Sequence, residues 1–141
     1  MFRKIYFDTS PIIYLLQKHD LFFPQISTFL NSNEQAVYVT SVVTVAEYDT
    51  FLNKHDRPDL QLAFDGFAER TYLQICSIDL PIAKRAAHIR ATYPAFKLMD
   101  ALQLATACIH NCDCVLTNDR QLKQFQDIKV LTMPDLQGVT Q

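Results

Sequence analysis

Glycine is nearly missing from this 141-residue chain, which has only Gly66 and Gly138. A GxGxxG dinucleotide loop or a GxxxxGK[ST] phosphate loop needs several glycines clustered in one turn, so nucleotide cofactors held that way are excluded. Long apolar runs are missing too, and none approaches the ~18 residues of a membrane span. The stretch from Met1 to Leu16 is broken by Asp8 and Pro11, unlike the apolar segment of a secretory signal. A cytoplasmic location is therefore expected, with reduced thiols at Cys76, Cys108, Cys112 and Cys114. Three of these cysteines stand with His110 in CIHNCDC, which on its surface suggests a metal clip. Cys108, however, falls in an apolar helical run and Cys114 opens the apolar CVLT, a setting for buried structural thiols rather than zinc ligands. Nor is there an excess of one charge. The 13 Lys and Arg against 15 Asp and Glu leave a net charge of −2, which alone does not favour a nucleic-acid partner.

What is present is material for a core: 49% apolar residues, including 10 phenylalanines and 6 tyrosines. No internal repeat, low-complexity segment or Gly/Ser linker divides the chain, so one domain over residues 1–141 is expected. Arg3 to Asp8 reads as a strand, followed by Ser10 as N-cap and Pro11 in the first turn of a helix PIIYLLQK. A second helix runs through Phe29 and Leu30, Ala36 to Thr40 is a strand, and Ser41 caps the helix VVTVAEYDTFLNK. Asp59 to about Arg70 is helical and Tyr72 to Ile78 a strand. Asp79 and Pro81 open a helix that stops near Pro94, and Leu98 to His110 forms a further helix rich in small residues. Cys114 to Thr117 is a strand, Asp119 to Phe125 a helical turn or two, and Ile128 to Leu131 the last strand. Five short, nearly continuous apolar strands that alternate with helices predict an α/β fold with a parallel sheet covered on both faces.

Ligands of such sheets bind beyond the carboxyl ends of the strands. Four acids qualify. Asp8 ends the first strand, Glu47 lies in the helix after the second, Asp100 opens the Leu98 helix, and Asp119 follows the VLT strand. Each could serve merely as a cap or as helix surface, but four at one rim are not expected from capping alone. Gathered carboxylates repel one another, and a divalent cation removes the conflict. Oxygen-only ligands suit Mg²⁺ or Mn²⁺, and such a site supports hydrolysis of a phosphodiester.

FDTSPIIYLL, VTVAEY, LMDALQLATA and VLTNDRQL, in this order and spacing, resemble the four acidic motifs of PIN-domain ribonucleases, especially the short VapC-type toxins of toxin–antitoxin pairs. The resemblance covers Phe2 to about Leu136. It implies a PIN-like five-stranded parallel sheet in the order 3-2-1-4-5 flanked by helices, Mg²⁺ or Mn²⁺ dependence, and endonucleolytic cutting of RNA. Asp8, Glu47 and Asp100 match the principal metal-binding acids and Asp119 the fourth, which in this family can act through water. Ser10 and Thr117, with Asn118, match the polar positions beside the first and last acids. Homodimers and a cognate antitoxin are implied as well. Phe22, Phe23 and Phe29 form a candidate exposed ridge for such contacts.

Two other readings stand beside this one. An aspartate-nucleophile phosphohydrolase would carry DxDx[TV] at the first strand, but here Ser10 occupies the second acid's position and no later lysine follows a strand. A PIN-like binding module without catalysis would be expected to have lost one or more acids, and all four are here. Lys84, Arg85, Arg90 and Lys97 form the one sizeable acid-free basic run, between Asp79 and Asp100, and are the candidate contacts to an RNA backbone.

Overall fold

The computed structural model describes residues 1–139. Its frame is a five-stranded, wholly parallel sheet in the order β3-β2-β1-β4-β5. The strands are β1 (Lys4–Phe7), β2 (Val37–Ser41), β3 (Gln74–Cys76), β4 (Cys114–Leu116) and β5 (Lys129–Leu131). Helices α1 (Thr9–Leu16) and α2 (Phe22–Ser32) join β1 to β2, and α3 (Val42–His55) and α4 (Pro58–Thr71) join β2 to β3. α5 (Leu80–Thr92) and α6 (Leu98–Ile109) cross to β4, a 3₁₀ helix (Arg120–Gln124) leads to β5, and a second 3₁₀ helix (Met133–Asp135) runs into α7 (Leu136–Val139). The predicted strand order is the observed one.

Side chains of β1 alternate between two cores, as a strand covered on both faces requires. Ile5 and Phe7 enter a core with Ile26, Phe29, Tyr48, Phe64 and Phe67, while Tyr6 enters the other with Ile82, Ile89, Phe96 and Leu104. The sheet is thus sandwiched between α1–α4 with α7 and the pair α5–α6.

Three expectations are corrected. Asp8, not Ser10, is the N-cap of α1: its Oδ1 accepts the Thr9 N–H at 2.8 Å, because the chain turns into helix directly after Phe7. β3 is only Gln74–Cys76, since Tyr72 is spent closing α4 in the left-handed region at φ 53°. Phe29 is wholly buried and packs against Phe2, and Phe22 and Phe23 are partly buried, so these rings do not form an exposed ridge. The helix after Met133 has no counterpart in the sequence reading. The caps at Ser41 and Asp79 are formed, accepting from the N–H of Val43 and Ile82 at 3.2 Å each.

Candidate active site

β1 is the strand at which the crossovers reverse direction, with β2 on one side and β4 on the other. Its carboxyl end opens into a pocket of about 610 Å³ lined by Asp8, Ser10, Glu47, Asp100, Asn118 and Asp119, together with Lys97 at the rim. Four segments distant in sequence meet there because each follows a strand end or opens a helix over it.

Asp8 is the most constrained of the acids. Its Oδ1 accepts from the Thr9 N–H and, at 3.2 Å, from Gln103 Nε2, and its Oδ2 accepts the Thr117 hydroxyl at 2.7 Å. All three donors are neutral. Burial pushes the Asp8 carboxyl up to about 6; these hydrogen bonds act against the rise, and Asp100 and Glu47 add to it. Asp100, half-buried in the first turn of α6, is also raised, by burial and by the charges of Asp119 and Glu47, with Lys97 opposing. The Thr9 hydroxyl donates to Glu47 Oε1 at 2.7 Å. Thr117, buried at the end of β4, also accepts the Asp119 N–H at 3.1 Å, so one hydroxyl ties two of the acidic segments together. Asp119 caps the 3₁₀ helix by accepting from the Gln121 N–H, and Asn118 donates to the Tyr14 hydroxyl at 2.8 Å.

Sequence reasoning overlooked Gln103. It is 2% exposed, and every polar position of its amide is used. Nε2 donates to Asp8 and, at 3.0 Å, to Thr44 Oγ1; Oε1 accepts the Ser41 hydroxyl at 3.1 Å and the Tyr6 hydroxyl. The signal was a glutamine inside the apolar run LMDALQLATACI, three positions after Asp100, on the face a helix turns inward.

The basic run divides. Lys97 borders the carboxylates. Arg85 pairs with Asp127 at 2.7 Å and shares a different pocket with Asn111, Cys112 and Ile128, in the segments that enter β4 and β5 at the opposite edge of the sheet. Arg90 Nε donates to the Phe96 carbonyl at 3.2 Å, and Lys84 is exposed on α5. Cys76, Cys112 and Cys114 are buried and Cys108 partly so; burial pushes all four thiols up, Cys112 and Cys114 to about 12. Among the described residues no group of three or more His, Cys, Asp or Glu side chains is placed to hold a metal ion; the four acids border an open pocket. An open set of carboxylates with neutral hydrogen-bond partners suits a cation that keeps much of its water, as Mg²⁺ does.

A parallel sheet with acids gathered where its crossovers reverse defines an α/β protein with a carboxylate-lined site. Within that class the chain belongs to the PIN domain family, whose model matches residues 5–128. Its fold is similar to that of solved structures of toxin–antitoxin systems. DNA-bound VapBC from Salmonella typhimurium is 21% identical with a TM-score of 0.76, covering 93% of this chain and 98% of that one. VapBC2 from Rickettsia felis, bound to a promoter DNA fragment, is 17% identical with a TM-score of 0.75, covering 92% and 98%. VapC20 from Mycobacterium tuberculosis, a sarcin-ricin loop cleaving toxin, is 19% identical with a TM-score of 0.64, covering 89% and 98%. No curated protein matches the sequence significantly.

Proposed function

We propose that residues 1–141 act as one PIN-like nuclease domain, a metal-dependent endoribonuclease that serves in the cytoplasm as the toxin of a toxin–antitoxin pair. The observation that carries this reading is the meeting of Asp8, Glu47, Asp100 and Asp119 in one pocket whose lining includes a single cation, Lys97. Asp8, Glu47 and Asp100 would hold Mg²⁺ or Mn²⁺, with Asp119 reaching it through water. When bound, the ion supplies charge for the phosphate oxygens and lowers the pKa of water for hydrolysis. Thr117, Gln103 and the Thr9 N–H orient Asp8, Thr9 orients Glu47, and Ser10 and Asn118 border the space where the scissile phosphate sits. An antitoxin partner belongs to the same proposal, supported by the toxin–antitoxin complex from Klebsiella pneumoniae among the similar structures, and homodimers belong to it as what the family resemblance implies. No helix of the described residues is long and apolar enough to cross a membrane.

Product ends test the chemistry. Cleavage by hydrolysis leaves a 5′-phosphate and a 3′-hydroxyl, and RNA carrying one 2′-deoxy nucleotide on the 5′ side of the cut is still cleaved with Mg²⁺ or Mn²⁺ but not with chelator. A 2′,3′-cyclic phosphate, or cutting that persists in excess chelator, means the carboxylates have been given the wrong role. Among the described residues no histidine borders the pocket to act as base for the 2′-hydroxyl route.

The salt dependence of RNA binding separates the members of the basic run. Lys97→Ala should lower the log–log slope by roughly 0.7, one single-strand phosphate contact. Arg85→Ala, engaged with Asp127 at the far edge, should leave the slope unchanged. Equal slopes for both variants would remove Lys97 from the contact set.

A further inference from the structure

Leu98 and Met99 open α6, yet each leaves 49% of its surface exposed, whereas Ala101, Leu104 and Ala105 behind them are wholly buried. Both border the carboxylate pocket beside Lys97. Helix packing does not require two large apolar side chains at the mouth of an acidic pocket. The segment presenting them is held in place from behind. Phe96 is 1% exposed, and its ring stacks on Tyr93 at 4.9 Å and 4°. Tyr93 meets Phe125 edge-on at 5.6 Å, and its hydroxyl accepts the Gln126 N–H at 3.2 Å. Arg90 Nε holds the Phe96 carbonyl. A lip anchored this way loses little freedom when something lies on it, so its exposed apolar surface is available for binding.

We propose that Leu98 and Met99 form a shelf for the nucleobase adjoining the scissile phosphate, with Lys97 on the neighbouring backbone phosphate. This rests on the ribonuclease reading of the pocket. A nucleic-acid strand repeats an anionic group and a flat apolar face with every nucleotide, and the lip sets one cation directly beside two aliphatic side chains. The faces of a base inside a duplex are covered by its neighbours, whereas a base in a loop can turn out onto a protein surface. Aliphatic side chains grip a base by contact area without reading its edges, so the shelf selects for an accessible base rather than for one letter.

A pool of stem–loop RNAs with randomised loops, cut by the wild-type chain and sequenced, locates the cleavage position. Steady-state cleavage is then compared for one such RNA, the same RNA made abasic at the adjoining nucleotide, and the same position closed into a duplex. The double variant Leu98→Ser/Met99→Ser should raise KM about tenfold on the intact loop, the scale of the apolar area lost, with kcat within about twofold. On the abasic RNA the variant and wild type should coincide, and Leu98→Met/Met99→Leu should restore the wild-type KM. The duplex should be a poor substrate for all of them. Because about half of each residue is already exposed, the variant should stay folded at the assay temperature, which its thermal melt checks. Equal losses on intact and abasic RNA, a fall in kcat at constant KM, or a loss confined to binding of a protein partner would each overturn the shelf. If the wild type cuts RNA and Asp8→Asn does not, such a result removes the shelf alone; if the wild type cuts nothing, the ribonuclease reading falls and the shelf with it.

Discussion

Asp8→Asn should abolish RNA cleavage and, in metal-free buffer at neutral pH, should melt at a higher temperature than the wild type. The loss, expected at a thousandfold or more, follows from removing a charged oxygen that an Mg²⁺ or Mn²⁺ ion would need, with almost no change in volume. The gain follows from the pKa. A carboxyl whose native value of about 6 lies above its unfolded value binds its proton more readily in the folded chain. Stability therefore falls as pH rises through the window from about 4 to about 6, and above it the cost is complete, at most about 3 kcal/mol for this shift. Asparagine escapes that cost while still accepting from Thr9 and Gln103. The melting temperatures of variant and wild type should thus converge near pH 4 and separate by several degrees at pH 7.5. Added Mg²⁺ should raise the wild type and leave the variant where it was. Undiminished cleavage by the variant, or a variant less stable than wild type in chelator at pH 7.5, would contradict the assignment of Asp8.

Gln103→Leu carries the second large effect, on stability and activity together. Leucine fills a similar volume but strips Asp8 and Thr44 of a donor and the Tyr6 and Ser41 hydroxyls of an acceptor, and Thr44, Tyr6 and Ser41 are wholly buried. Burial pushes the Tyr6 phenol well above its ordinary value, so it stays protonated and needs somewhere to donate. With about 1–3 kcal/mol for each buried group left without a partner and some relief by rearrangement, a loss of roughly 3 kcal/mol is expected in denaturant unfolding. Cleavage should fall even at temperatures where the variant is fully folded, since the group that aims Asp8 is gone. A variant as stable and as active as wild type would show that the network is dispensable.

The order of elements and the sheet were legible because each strand is a short apolar run ending at a polar residue or a cap. The acids were legible for a related reason: Asp8 and Asp119 stand at strand exits, and Asp100 opens a helix. Gln103 was hidden because a glutamine in a helix rich in small apolar residues carries no motif, and its role exists only when α6 lies across β1 and β2. Arg85 and Lys97 look alike in a linear basic run, but they lie at opposite edges of the sheet. The cap of α1 was misread because Ser10 followed by Pro11 is a strong local signal, whereas Asp8 is selected by the abrupt end of β1. Leu98 and Met99 carry no signal of their own at the start of a helix rich in small residues, and only the surface left uncovered sets them apart.

The pairing of β1 with β4 has a consequence for a chain growing on the ribosome. Ile5 lies beside Cys114, 109 positions later, and Asp8 receives its Thr117 hydrogen bond from the residue just after β4. A nascent polypeptide that has exposed α1 through α6 already carries Asp8, Glu47 and Asp100, yet it has neither the hydroxyl that orients the first nor Asp119. Such long-range parallel pairing is slow to form, because the ends of a long loop must meet before any contact rewards them. On the ribonuclease reading proposed above, the site is therefore complete only once β4 and the segment that leaves it have joined the sheet.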